Sequence, residues 1–411
     1  MDTIRKYLYF KKINEAFTPE APINHRDLFA GRQRERDKVI NTIFQRGAHV
    51  VLFGERGVGK TSLANTIFDF LVMVGGSNFS MARVTCSQKM DFEAIWRTAF
   101  RQLVIDYEEK NTPLDTWLPN DPHSEDIREI LSYLANPSII VIDEINEVSD
   151  KPSLKSLADT VKTLSDNSVN STLILVGVAD SVDQLIADHA SIDRALKQVP
   201  MPRMSKIELL EIVDRGLSSC EISVEASVRE RLADYSIGLP SYTHLLAREA
   251  ALAAVKSDRT KIVEDDLKRA VEESVNNQLG THLTMYTDAV SAPRGIIFKP
   301  VLLACALAEK DEKGWFYATN VVQPLSAIMK KKYQIPAFAR HLKDFSEKRG
   351  PILEQKGRKY RFRKPLMEPF VILRGLADNL ISEDQLSRPS ASSSEPEQLS
   401  LLYGGAPLDS E

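Results

Sequence analysis

The sequence predicts an α/β protein of several domains. A doubly wound parallel sheet surrounds a phosphate-binding loop, an all-helical domain follows, and a basic module lies near the C-terminal end. Three observations predict this. Short runs of Val, Ile and Leu alternate with helical patterns between about residues 48 and 200. "GERGVGKTS" (54–62) joins one such run to a helix. After about residue 204 the runs stop, and apolar residues recur at helical spacing.

At 411 residues the chain exceeds one small core, so two or three domains are expected. Hydrophobic content of 43% and charged content of 27% are ordinary for a globular protein. Cys86, Cys220 and Cys305 form no CxxC or Cys/His cluster, which argues against disulfides or zinc and fits a reducing cytoplasm. "MDTIRKYLYFKKINEAF" lacks a signal-peptide core, and no stretch approaches the ~18 apolar residues of a membrane span. A soluble cytoplasmic protein with no membrane partner is expected.

Residues 1–27 read as an N-terminal extension. Within residues 28–203, strands are expected at "HVVLFG", "SMARVTC", "SIIVID", "STLILVGVA" and a weaker "KQVPM", in the pattern of a parallel sheet buried on both faces. Helices are expected at "KTSLANTIFDFLVMV", "DFEAIWRTAFRQLVIDY" and "SEDIREILSYLAN", the last with Ser124 as N-cap. Four amphipathic helices fill residues 204–286, and Ser205 with Glu208 has capping-box spacing.

"TDAVSAPRG" (287–295) reads as a linker opening a module that ends near residue 380. That module has three helices, "KPVLLACALAEK", "VVQPLSAIMKKKY" and "PAFARHLKDFSEKRG", then a hairpin turning at Lys356, Gly357 and Arg358. Residues 381–411, rich in Ser, Pro and Glu, are expected to be disordered.

Gly54, Gly59, Lys60 and Thr61 fit G-x-x-x-x-G-K-[ST], enclosing Glu55, Arg56, Gly57 and Val58 and followed by Ser62. The glycines let backbone N–H groups turn toward phosphate oxygens, and the following helix adds its positive N-terminal end. Lys60 would reach the β- and γ-phosphates of ATP, and the Thr61 hydroxyl would help hold Mg²⁺. "SIIVIDEIN" ends a buried strand in Asp143 and Glu144, at the sheet edge where ligands of open α/β sheets bind. Asp143 would share the Mg²⁺ shell, and Glu144 would orient the attacking water. An ATPase is the expected activity.

With these motifs in place, residues 16–375 resemble the AAA+ ATPases, within them the replication-initiator branch of origin-recognition and Cdc6-type proteins. "LFAGRQRERDKVINTIF" resembles that branch's segment near the adenine. "LILVGVADS" resembles its fourth core strand, which implies a sensor-1 role for Asp180. "ASIDRALKQVP" lies where the family carries an arginine finger, which implies Arg194, with Arg203 as rival, and requires self-association. "GLPSYTHLLARE" is similar to the sensor-2 region, but Ser241 stands where the family often has arginine, with Arg248 a weak substitute. The same wording resembles the G-x-P of STAND-type signalling ATPases, which implies that Gly238 and Pro240 approach the nucleotide. His244 reads as a packed helix histidine.

From Arg294 to Arg374 there are 18 Lys/Arg against 7 Asp/Glu, about +11. Three helices and a basic hairpin form a winged-helix pattern, and the resemblance carries the same domain at this end. Arg340 and Lys343 on the third helix, with Arg358, Lys359, Arg361 and Arg363 on the hairpin, are the candidates to bind double-stranded DNA. Phe338, Leu342 and Phe345 would face inward, and Tyr360 and Phe362 would alternate with the hairpin cations. Such an array predicts salt-sensitive, largely sequence-independent binding. Two functional classes stay open: a DNA-binding AAA+ switch, and a STAND-like signalling ATPase whose winged helix docks a protein partner.

Overall fold

The computed structural model describes residues 1–23, 26–73, 79–178, 192, 194–277, 280–291, 297–311, 313–382 and 386. In the first half the strands are β1 (His49–Phe53), β2 (Ser80–Thr85), β3 (Val104–Tyr107), β4 (Lys110–Pro113), β5 (Ser138–Asp143), β6 (Ser171–Gly177) and β7 (Leu196–Pro200). Five of them make a parallel sheet in the order β2-β5-β6-β1-β7, so even the weak "KQVPM" run is a strand. Every residue of β5 and β6 is buried, because helices cover both faces.

Alternation along the strands divides the packing. Val50, Leu52, Ile139 and Val141 meet helices α2 (Gln33–Ile43) and α3 (Lys60–Met73). Val51, Ile140 and Ile142 meet α4 (Phe92–Phe100), α5 (Ser124–Ser132) and α6 (Lys151–Asp166).

Two local expectations change. The helix expected through residue 107 stops at Phe100, and Val104–Tyr107 pairs with Lys110–Pro113 as a hairpin. Glu108 (φ 53°) and Glu109 (φ 62°) form the two left-handed residues of its tight turn. Ser124 is the first residue of α5 rather than its cap. His123 precedes it, and the His123 N–H donates to Asp126 at 2.7 Å.

The helical domain comprises α7 (Lys206–Ser219), α8 (Ala226–Ser236), α9 (Pro240–Lys256), α10 (Glu264–Asn277) and α11 (Gly280–Val290). It also holds a minimal parallel pair, β8 (Ser223–Val224) with β9 (Lys261–Ile262), which helical periodicity concealed. Ser205 and Glu208 form the capping box at α7. Glu208 also accepts the Arg32 N–H at 2.9 Å, which ties this domain to the sheet. The N-terminal helix α1 (Thr3–Ala16) packs on the same domain, and the Phe17 ring lies where any Cβ on Gly216 would fall, 2.3 Å away.

Residues 287–290, read as linker, complete α11. The C-terminal module has α12 (Phe298–Leu307), β10 (Phe316–Tyr317), α13 (Ala318–Met329), α14 (Ala339–Glu347), β11 (Leu353–Lys356), β12 (Lys359–Phe362) and α15 (Met367–Ala377). β10 joins the hairpin to make three antiparallel strands in the order β10-β12-β11. Gly357 (φ 61°) makes the turn, where a side chain would be strained. Phe338, Leu342 and Phe345 are buried.

The module packs closely on the helical domain. Phe370 of α15 stacks edge-on with Tyr286 of α11, and the Arg349 guanidinium lies 3.8 Å over Phe298 while donating to the Ala289 and Ser291 carbonyls. Ile381 is buried; the rest of the expected tail lies outside the described residues, apart from residues 382 and 386. Among the described residues no helix is long and apolar enough to cross a membrane.

Candidate active site

The loop after β1 curls because Gly57 (φ 90°) and Gly59 (φ 95°) adopt a backbone that side chains disfavour. Gly54 is needed for a different reason: the Met201 carbonyl lies 2.3 Å from where its Cβ would be. Gly54, Glu55, Arg56, Gly57, Gly59, Lys60, Thr61 and Ser62 line a cavity of about 1090 Å³, together with Asp143, Glu144 and Pro240. Val58 instead turns into the core, and its carbonyl accepts from the buried Arg32 at 3.0 Å. Ser62 accepts the Ile23 N–H at 3.1 Å, which draws the N-terminal segment onto the loop.

Lys60 Nζ donates to the carbonyls of Gly54 (3.0 Å) and Glu55 (2.8 Å). Burial pushes the Lys60 ammonium down to about 8, against the pull of Asp143, Glu144 and Glu55. Asp143 is nearly inaccessible; its Oδ1 accepts the Glu144 N–H at 2.8 Å and its Oδ2 the Arg83 guanidinium at 3.2 Å. Glu144 itself sits in the left-handed region (φ 55°), a strained conformation for a side-chain-bearing residue at a strand end. Beside them burial raises the Cys86 thiol to about 12, so it stays protonated.

Mg²⁺ keeps several waters and asks for one or two protein oxygens beside the phosphates. Thr61 and Asp143, both lining this cavity, are oxygen donors of the kind that need calls for, and Arg83 competes for the Asp143 carboxylate. Among the described residues no group of three or more His, Cys, Asp and Glu is arranged for a metal.

Pro240 opens α9 with its Cγ 3.8 Å from the Cβ position of Gly59, so the helical domain roofs the loop. Gly238 (φ 78°) lies against Arg203, 2.6 Å from its Cβ position to the Arg203 Cβ. Ser241 Oγ is buried 3.1 Å from the Cβ position of Gly57. Arg248 pairs with Glu20 (2.8 Å) and Glu249 (3.2 Å), which occupies the cation considered as a sensor-2 substitute. His244 packs on Phe17, and burial lowers it to about 4, so it is neutral.

The two finger candidates differ sharply. Arg194 is 89% exposed, with Asp166 at 3.8 Å. Arg203 is spent inside the chain, which argues against its use as a finger in this arrangement. It donates to Glu55 of the loop (2.8 Å) and through both terminal nitrogens to Glu368 of α15 (3.1 and 2.7 Å). Burial opposes its charge, but Glu368 and Glu55 outweigh that and hold the guanidinium above the usual arginine range. Asp180 lies outside the described residues.

The candidate nucleic-acid residues divide as well. Arg340 (90% exposed) and Lys343 stand on the outer face of α14, with only distant partners at 4.0 and 3.8 Å. Arg358 is exposed at the hairpin tip. Lys359 pairs with Asp311 at 3.1 Å and lies over Tyr317. Arg361 had been expected on an open cationic face but pairs with Glu354 at 2.8 Å, stacks on Trp315 and lines the loop cavity; Arg363 borders the same cavity and stays exposed, donating to the Leu353 carbonyl at 3.1 Å. Local alternation shows that a residue leaves the hairpin core, but not what it meets beyond.

Sequence reasoning missed Arg32, Arg83 and the bridging role of Arg203. Arg83 and Arg203 pair with carboxylates far away in the chain, and Arg32 joins a near neighbour, Glu35, to the distant Val58 and Pro202 carbonyls; no spacing rule signals the distant partners.

Residues 44–186 match the family model described as an AAA domain. No curated protein matches the sequence. Over most of its length the fold is similar to that of the Aeropyrum pernix ORC2 protein, solved in ADPNP–ADP complexes. Identity is 16%, coverage 89% of this chain and 97% of that one, and the TM-score 0.54. It is similar too to a Walker-type ATPase of Pyrococcus abyssi, at 15% identity, 86% and 98% coverage and a TM-score of 0.53.

Proposed function

We propose that this chain, an AAA+ fold with its AAA domain at residues 44–186, is an ATP-hydrolysing switch that grips double-stranded DNA through a C-terminal winged helix. One observation carries the reading: the loop, the Asp143/Glu144 strand end and the Pro240 roof converge on a single cavity, with the basic module against its rim. Backbone N–H groups and the start of α3 bind the phosphates. Lys60 neutralises the β- and γ-oxygens. Glu144 orients and polarises the water that attacks the γ-phosphorus; the bond from that phosphorus to the oxygen bridging it to the β-phosphate breaks, releasing ADP and inorganic phosphate. Mg²⁺, when held by Thr61 and Asp143, adds charge neutralisation. Arg340, Lys343 and Arg358 bear on DNA phosphates, and association of chains presents Arg194 to a neighbouring nucleotide.

A STAND-like ATPase that docks a protein is the second reading, favoured by Ser241 and by the close packing of the C-terminal module beside the loop.

The test is a pair of variants measured by calorimetry and phosphate release. Glu144→Gln keeps ATP affinity and loses turnover by ~10²–10⁴-fold. Lys60→Ala weakens binding itself. Wild-type turnover in Glu144→Gln would sink the mechanism, and turnover without any binding of short duplex DNA at low salt would shift the reading to the second one.

A further inference from the structure

One ion cluster joins three parts of the chain. Glu55 belongs to the phosphate loop, Arg203 follows β7, and Glu368 lies in α15 of the C-terminal module. Glu368 is 2% exposed and also pairs with Lys310 (7% exposed) at 3.0 Å, so Arg203 meets a carboxylate already fixed inside the module. Apolar and backbone contacts run alongside. Leu366 Cδ2 comes within 2.8 Å of the Cβ position of Gly57, Glu55 Oε1 lies 2.8 Å from where a Cβ on Gly314 would fall, and the Tyr242 hydroxyl donates to the Leu366 carbonyl at 2.7 Å. The hairpin cation Arg361 lines the same cavity, half-buried, and the exposed Arg363 borders it.

We infer that Arg203 is a positioning residue that couples the phosphate loop to the C-terminal module, so that ATP binding and duplex-DNA binding are linked in cis. The inference rests on the ATP- and DNA-binding reading above and adds its regulation. The coupling runs through Glu55. Its carbonyl accepts from Lys60 and its carboxylate from Arg203. A phosphate that takes the Lys60 ammonium withdraws it from the Gly54 and Glu55 carbonyls and lets that backbone shift. The shift strains the Glu55–Arg203 bond, and the module loosens. Arg361, which in the docked form is half-buried between Glu354 and Trp315, then becomes available to DNA beside the already exposed Arg363. By reciprocity, DNA that holds the hairpin open tightens ATP binding by the same factor.

The test uses the full chain, ATP, and a fluorescein-labelled duplex of mixed sequence. It reads hydrogen exchange over residues 313–317 and 353–363, duplex affinity with and without ATP, and ATP affinity by calorimetry. In the wild type ATP raises exchange in both segments and tightens duplex binding. Arg203→Gln, checked for folding by circular dichroism, exchanges fast without ATP, binds duplex about tenfold tighter, a shift of ~1.4 kcal/mol, and gains less than about twofold from ATP. Arg203→Lys restores only part of the coupling, because a point charge cannot hold both carboxylates as the fork does.

Glu55→Gln leaves the Arg203–Glu368 pair in place, so protection without ATP persists while its ATP dependence is lost. That variant decides the matter if Arg203→Gln does not fold. Wild-type protection with full ATP dependence in Arg203→Gln, or full ATP dependence in Glu55→Gln, overturns the coupling. Absence of ATP binding, or of duplex binding, in the wild type overturns the underlying reading instead. If only duplex binding fails, the exchange arm still decides the coupling.

Discussion

Arg203 and Arg194 stand nine positions apart and sit in opposite physical regimes. Around Arg203 the cations are partly enclosed and matched to more deeply buried partners: Lys60 to loop carbonyls, Arg83 to Asp143, and Arg203 to Glu55 and Glu368. Around Arg194, and on the outer face of α14, they stand in water with loose partners. Enclosed charges are costly to orphan and so fix geometry. Exposed ones contribute about 0–1 kcal/mol to stability and remain available to a partner.

The sharpest way to break this comparison is Glu368→Leu. It leaves Arg203 and Lys310 without their shared carboxylate in an enclosed site, and stability falls by about 3–5 kcal/mol in urea unfolding. A loss no larger than that of an exposed ion pair would show that water reaches the cluster and that the two regimes are one.

Next in size is the double variant Arg340→Glu with Lys343→Glu. Duplex affinity at low salt falls at least about tenfold, and the slope of log affinity against log salt shrinks by about 2. Stability stays within about 0.5 kcal/mol. Unchanged DNA binding would move the DNA face away from α14.

The same division explains what the sequence disclosed. The five parallel strands were legible because burial on both faces leaves uninterrupted Val/Ile/Leu runs, as at "SIIVID" and "STLILVG". The loop was legible because Gly57 and Gly59 meet a backbone requirement that few residues can. The β3–β4 hairpin was not. Trp96, Phe100 and Leu103 continue a helical period past the point where the helix ends, and Val104–Tyr107 is too short to signal a strand alone. The enclosed arginines were illegible for another reason. Arg83 is 60 positions from Asp143 and Arg203 is 165 from Glu368, so their pairing follows from the tertiary fold rather than from any local pattern.

A smaller effect sharpens the enclosed side. Burial holds Lys60 down to about 8, so its ammonium is intact below pH 8 and is lost progressively above it. ATP that requires the ammonium must then recapture a proton. Affinity is therefore flat below pH 8 and falls by up to about tenfold per pH unit above it. Calorimetry in buffers of differing ionisation enthalpy would register that proton uptake. Constant affinity to pH 10 would mean that Lys60 is solvated like a surface lysine.

The smallest expected change is at Arg194. Its guanidinium is 89% exposed and 3.8 Å from Asp166, so Arg194→Gln removes almost nothing from the folded chain. Unfolding free energy should stay within about 0.5 kcal/mol. If the exposed arginine is held ready for a neighbouring nucleotide, the effect appears only where chains meet. ATPase rate per chain rises with protein concentration in the wild type and stays flat in Arg194→Gln, with ATP affinity in dilute solution equal for both. A rise retained by the variant would return Arg194 to an ordinary surface residue. If Arg203→Lys alone then abolished the rise, the enclosed arginine must leave its carboxylates to act in trans, and the contrast between the two would be one of state rather than of position.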